Sequence, residues 1–139
     1  MKTKKASSVS TKTTLREENN FRKEIVEERR PWGKFRSFPH KKAGSIKLIT
    51  VDPNGSLSLQ YHNQRSEFWI ALDRGLEVTV GEKVWQPRKN EEIFIPLKAP
   101  HRVRNIGKYP ARIMEIWIGN SNENDIVRLE DIYGRTKGS

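Results

Sequence analysis

Histidine is scarce in this chain, three in 139 residues, and two of the three, His62 and His101, stand at the edges of short β-prone runs. In Leu57-Ser58-Leu59-Gln60-Tyr61-His62-Asn63-Gln64, a period of two sets Gln60, His62 and Gln64 on one strand face, opposite Leu59 and Tyr61. Glu67 has the wrong parity to join that face unless the chain turns between Asn63 and Ser66, which the polar stretch there permits. Pro96 and Pro100 deliver His101 to the start of another strand, terminated by Asn105. Two imidazoles, a carboxylate and an amide oxygen, from His62, His101, Glu67 and Gln64, are donors suited to Zn²⁺, Mn²⁺, Fe²⁺ or Ni²⁺, whereas Mg²⁺ and Ca²⁺ prefer oxygen alone. Cysteine is absent, so disulfides and thiolate ligation are excluded and a reducing cytoplasm is the expected compartment. The alternative is that each histidine is structural, half-buried and hydrogen-bonded to backbone.

The elements that must position these groups read as strands. From Trp32 onward, β-prone runs are broken by turn signals at the spacing of a sandwich or small barrel. The runs go from Lys34 to Phe38, Ser45 to Val51, Ser56 to Tyr61, Glu67 to Leu72, Leu76 to Val80, Glu82 to Gln86, Glu91 to Ile95, His101 to Asn105 and Ala111 to Ile118. Asp52-Pro53-Asn54-Gly55 is a Pro-led turn with Gly55 expected to take the positive φ, and Gly81 and Asn105-Ile106-Gly107 are expected to make tight hairpins. The fold class is all-β. Trp69 and Trp117, in apolar runs, belong to the core; Trp32 suits an entrance, and Trp85 has no evident place.

Four segments follow. Residues 1–14, rich in Lys, Ser and Thr, read as a disordered basic tail; 15–30 as a short amphipathic helix or linker; 31–135 as one folded domain, opened by Pro31; and 136–139 as a tail. The net charge is +10, and half of that excess comes from Lys2, Lys4, Lys5, Lys12 and Arg16. The rest is spread thinly, which disfavours nucleic acid and favours a small anionic ligand. No apolar stretch serves as a secretory h-region or approaches the roughly 20 residues of a membrane helix, so no membrane partner is expected.

The segment from Leu57 to Gln60 through His62, Arg65, Glu67 and Trp69 resembles the metal-binding segment of type II phosphomannose isomerases, the cupin domain often fused behind mannose-1-phosphate guanylyltransferase. Arg30-Pro31-Trp32-Gly33, Ile95-Pro96 through His101-Arg102 and Asn105, and Asp125-Ile126-Val127-Arg128 with Asp131, Tyr133, Gly134 and Arg135 extend the similarity from about Arg30 to Arg135. Gln64 stands where that family has a second histidine, and Phe68 where it has a histidine after the glutamate. No guanylyltransferase segment falls within the similarity, so nucleotide transfer is not expected of these residues.

The resemblance implies a jelly-roll barrel, a divalent metal with zinc foremost and Mn, Co, Fe or Ni as alternatives, and interconversion of mannose 6-phosphate and fructose 6-phosphate. The metal ligands expected are His62, Gln64, Glu67 and His101. Glu67, as ligand or as base, and Arg135, folded back over the barrel mouth, are the catalytic candidates. Arg65, Arg102 and Arg135 are the candidates for the substrate phosphate, because a guanidinium fork offers paired donors to a dianion. By analogy a homodimer is expected. The alternative function is a non-catalytic cupin that binds a sugar phosphate or sugar nucleotide as partner of a guanylyltransferase.

Overall fold

The computed structural model describes residues 15–31, 33–40, 43–119, 122 and 124–136. The expected basic tail 1–14, Trp32 and most of the terminal tail lie outside the described residues. The chain divides into two compact units, Met1–Ala43 and Gly44–Ser139.

In the first unit residues 15–23 are helical, with Arg22 Nε donating to Glu18 Oε2 across one turn at 2.6 Å. The amides of Glu24 and Ile25 bond three residues back, to Phe21 and Arg22, which tightens and closes the last turn. Strand β1 (Val26–Arg30) then pairs antiparallel with β2 (Gly33–Ser37). Regular β structure therefore starts at Val26, earlier than the expected Pro31. Opposite charges across the ladder match this pairing, with Glu27 reaching Lys34 at 3.2 Å and Arg36 at 3.6 Å.

The remaining strands are β3 (Ala43–Val51), β4 (Leu59–Tyr61), β5 (Arg65–Ala71), β6 (Leu76–Val80), β7 (Lys83–Trp85), β8 (Glu92–Ile95), β9 (His101–Asn105), β10 (Ala111–Gly119) and β11 (Val127–Glu130). They form a four-stranded sheet, β3-β10-β5-β8, and a five-stranded sheet, β11-β4-β9-β6-β7. This is the all-β cupin architecture. Alternation sends Trp69 and Ala71 of β5, Ile93 and Ile95 of β8, Ala111 and Ile113 of β10, Leu76 and Val78 of β6 and Val103 of β9 into one buried cluster with Val51.

Two turns differ from expectation. Asn54, not Gly55, takes the positive φ (69°), and Gly55 N donates to Asp52 O at 2.8 Å. This is the arrangement of a turn with Pro second and Asn third. Gly55 is needed for space, since a Cβ there would lie 2.9 Å from Asp52 O. The segment Asn105-Ile106-Gly107 makes no hairpin, because β9 and β10 lie in different sheets. Asn105, buried at 3% exposure, instead fastens the crossing: Nδ2 donates to Val51 O at 2.8 Å and Tyr109 O at 2.7 Å, while Oδ1 accepts from Gly107 N at 2.8 Å.

Replacing Asn105 with Leu strips one buried and two partly buried backbone groups of their partner. The expected loss is about 2–3 kcal/mol, seen as a lower urea midpoint at unchanged slope.

Candidate metal centre

The inner faces that build the core at one end build a polar site at the other. Along β5 the inward residues run Ala71, Trp69, Glu67, Arg65; along β10 they run Ala111, Ile113, Glu115, Trp117; along β9, Val103 gives way to His101. The β5–β10 register sets Glu67 opposite Trp117 and Trp69 opposite Glu115. Two Glu-x-Trp triplets, Glu67-Phe68-Trp69 and Glu115-Ile116-Trp117, thus form a checkerboard. Each indole donates to the carboxylate of its own triplet: Trp69 Nε1 to Glu67 Oε1 and Trp117 Nε1 to Glu115 Oε1, both at 2.9 Å. These residues line a cavity of about 180 Å³ with Lys47, Gln60, His62, Arg65, His101 and Arg128 in its wall.

Ligand atoms of His62, Glu67 and His101 lie within 4.8 Å of one another. His62 Nε2 is 2.9 Å from Glu67 Oε2, and His101 Nε2 is 3.8 Å from Glu67 Oε1. Each imidazole Nδ1 faces a main-chain carbonyl, Asp125 O at 2.7 Å for His62 and Ala99 O at 2.9 Å for His101. A carbonyl can only accept, so both rings carry a proton on Nδ1, and in the neutral rings the Nε2 lone pair faces the carboxylate. Lone pairs facing a carboxylate oxygen at such distances require a proton or a cation between them, and ring nitrogens oriented by outer hydrogen bonds are the usual preparation for a metal. The donor set fits a divalent transition metal. Gln60 is the fourth polar side chain at this level: its backbone pairs with His101, and its Nε2 donates to Ser58 Oγ at 3.1 Å, leaving Oε1 as the atom able to serve as a further donor.

The electrostatics support this arrangement. Burial alone would raise the Glu67 carboxyl, but the His62 hydrogen bond and the charges of His101 and His62 outweigh it and hold the group well below the usual carboxylate range. Burial lowers His101, favouring the neutral, ligating form of the ring. Glu115 is pushed up to about 8 by burial first, then by the charge of Glu67 and its hydrogen bond with Glu67. Two adjacent carboxyls thus divide the roles of anion and acid. Arg65, 4% exposed, donates Nε to Glu67 Oε2 at 3.2 Å and Nη1 to Asn122 O at 3.1 Å, and stacks on Trp117 with Cζ 3.4 Å from the ring centre.

With this geometry in place the comparisons can be read. Residues 16–131 match the family described as mannose-6-phosphate isomerase C-terminal. The chain belongs to that family. It is 44% identical over 108 residues to the xanthan biosynthesis protein XanB of Xanthomonas campestris pv. campestris, covering 77% of this chain and 23% of that protein. It is 39% identical over 121 residues to the mannose-1-phosphate guanylyltransferase ManC of Salmonella typhimurium, covering 86% and 25%. The chain therefore spans about a quarter of the length of these relatives. Among solved structures, the dTDP sugar isomerase of Desulfovibrio desulfuricans shares the fold, with a TM-score of 0.58, 13% identity and coverage of 79% of this chain and 83% of that one.

In this mannose-6-phosphate isomerase C-terminal domain the predicted residues fall into two groups. His62, Glu67, His101 and Arg65 converge on the cavity. Gln64 does not: β4 ends at Tyr61, and Asp125 draws the next segment into a bend by accepting from Asn63 N at 2.9 Å and Gln64 N at 2.8 Å. Gln64 is exposed and absent from the wall, and the same bend gives Glu67 its inward parity. Arg102 borders the cavity, but it follows His101 on β9 and its Nη1 bonds Glu130 Oε1 at 3.0 Å. Arg135 lies outside the wall, paired with Asp131 at 2.7 Å. Phe68, fully buried, sits on the opposite face of β5 from Glu67, in a cross-strand row with Phe94 and Ile116. Trp69 and Trp117 are buried as expected, and Trp85 donates to Glu91 Oε2 at 3.0 Å.

Gln60, Lys47, Glu115 and Arg128 complete the wall and were not singled out by residue type as site residues. The repeated Glu-x-Trp triplet is the signal that points to Glu115.

Because the folded chain raises Glu115 from an ordinary value of 4.5 to about 8, its contribution to stability is fully present below 4.5 and is lost as pH rises through about 8. Metal-free wild type should therefore lose stability relative to Glu115→Gln over that window, measured by chemical denaturation at a series of pH values.

Proposed function

We propose that this chain is a metal-dependent sugar-phosphate isomerase domain that interconverts mannose 6-phosphate and fructose 6-phosphate, with His62, Glu67 and His101 holding the metal and Gln60 completing the donor set in place of Gln64. The observation that carries the reading is the pair of imidazoles whose Nδ1 atoms are fixed by carbonyls while their Nε2 atoms converge on one buried carboxylate. Membership of the mannose-6-phosphate isomerase C-terminal family supports the substrate class. No helix among the described residues is long and apolar enough to cross a membrane; the cytoplasm is the compartment proposed for a sequence without cysteine. By analogy it acts as a homodimer, alongside or fused to a guanylyltransferase.

Held by His62, Glu67 and His101, a divalent metal would supply Lewis-acid stabilisation of the negative charge that develops on the sugar oxygens. The chain's own residues do the rest. Glu67, engaged by His62, Arg65 and Trp69, serves as ligand, and Glu115 is the other carboxyl of the wall: once ionised, which a cation offsetting the charge of Glu67 would favour, it can take a proton from one sugar carbon and return it to the adjacent one. Arg65, anchored by Trp117 and Asn122 O, offers a fixed positive charge beside that step. Zinc is the metal expected, with Mn, Co, Fe or Ni as alternatives.

The two departures from the family's histidine pattern bear little on this chemistry. Phe68 faces away from the cavity and Gln64 lies outside its wall.

A coupled assay for fructose 6-phosphate, run on metal-depleted protein with Zn²⁺, Mn²⁺ or Co²⁺ restored, should show turnover that depends on the metal. Glu115→Gln should lower kcat by about 10²–10⁴ while retaining metal, whereas His101→Ala should lose metal by elemental analysis. Ligand binding without turnover under every metal would leave a non-catalytic binding module.

A further inference from the structure

We propose that Arg128 is the anchor for the ligand's phosphate, seated on the inner face of β11 at a remove from the His62–Glu67–His101 centre. This rests on the isomerase reading for the identity of the sugar, but the anion site stands on its own geometry. Arg128 pairs across the ladder with Gln60, and Gln60 with His101. Directly opposed residues share a sheet face, and all three line the cavity. The Arg128 Nε is buried, so the side chain runs into the wall instead of out to water.

Among the described residues, the wall carries Lys47, Arg65 and Arg128, with Arg102 at its border, beside the carboxyls of Glu67 and Glu115. Such a cavity selects an anion. The other arginines considered for it stand elsewhere in the fold. Arg65 bonds Glu67 and approaches His62 Nε2 to 3.3 Å, which places it at the metal centre. Arg102 follows His101 on β9 and so has the opposite parity, and Arg135 lies outside the wall. Arg128 lies two strand spacings from His101, roughly 10 Å between Cα atoms. With side chains leaning inward, a hexose held at C1 and C2 near the metal ligands can bridge that gap with its C6 phosphate. A guanidinium fork there offers paired donors to the dianion, more selective than a point charge.

The experiment uses the full chain and follows intrinsic tryptophan fluorescence during titration with inorganic phosphate, mannose 6-phosphate and mannose. Wild type should bind the two phosphorylated probes and not mannose. Arg128→Gln should weaken both by about 10-fold or more with metal content unchanged, and Arg128→Lys, which keeps the charge and loses the fork, should fall between and covers the case in which the glutamine variant fails to fold. Arg104→Gln, on the outer face of β9, should bind as wild type does. Wild type that ignores inorganic phosphate, unaltered affinity in both Arg128 variants, or a loss produced by Arg135→Gln instead, would each overturn the assignment. Failure of the isomerase reading would look different: no turnover with any metal, yet phosphate still bound through Arg128.

Discussion

Taking a carboxylate out of water costs several kcal/mol unless its oxygens are met by donors or cations, and Glu67 is 1% exposed in the middle of a sheet. The surrounding structure answers that demand. Trp69 donates to one oxygen, and Arg65 and His62 approach the other. His101 stands beside the pair, with its ring 4.9 Å from that of His62 and edge-on to Trp69 at 5.6 Å. Removing any one of these partners would leave a buried charge short of compensation, so the group behaves as a unit with a single geometry.

The same strands carry the core and the site. Glu67 and Trp69 are two residues apart on β5, and Glu115 and Trp117 on β10; in each pair the indole fills apolar volume while its N–H satisfies the carboxylate. A site built this way is held by close packing, which leaves side chains little freedom. Arg65 adds to this by lying 3.4 Å over the Trp117 ring, a contact that fixes a long side chain and strengthens when desolvated.

Much of this was legible in the chain itself. Short alternating runs with turn residues between them specified an all-β fold, because period-two patterning has no other stable reading at that spacing, and the order of His62, Glu67 and His101 carried the resemblance to type II phosphomannose isomerases. What misled was the assumption that alternation continues. Gln64 would share the face of His62 only if β4 ran on, and a remote carboxylate, Asp125, bends the chain just there. Alternation applied strictly to β9 would have separated Arg102 from His101. Within 15–30 the chain is helical at 15–23 and passes into a strand at Val26, where antiparallel pairing with the next strand, between oppositely charged neighbours, takes over from the helical pattern. Glu115 lies far from the other site residues in sequence, and only the sheet register brings it beside Trp69.

The carbonyls that orient the two imidazoles belong to the main chain, at Asp125 and Ala99. Every amino acid supplies the same acceptor at such a place, so substitutions there leave the tautomers of His62 and His101 untouched as long as the backbone stays put. At Ala99 the orientation of the ring nitrogen is thereby insulated from sequence drift, whereas at Asp125 the side chain also holds the amides of Asn63 and Gln64, so that position answers to both displacement and chemistry.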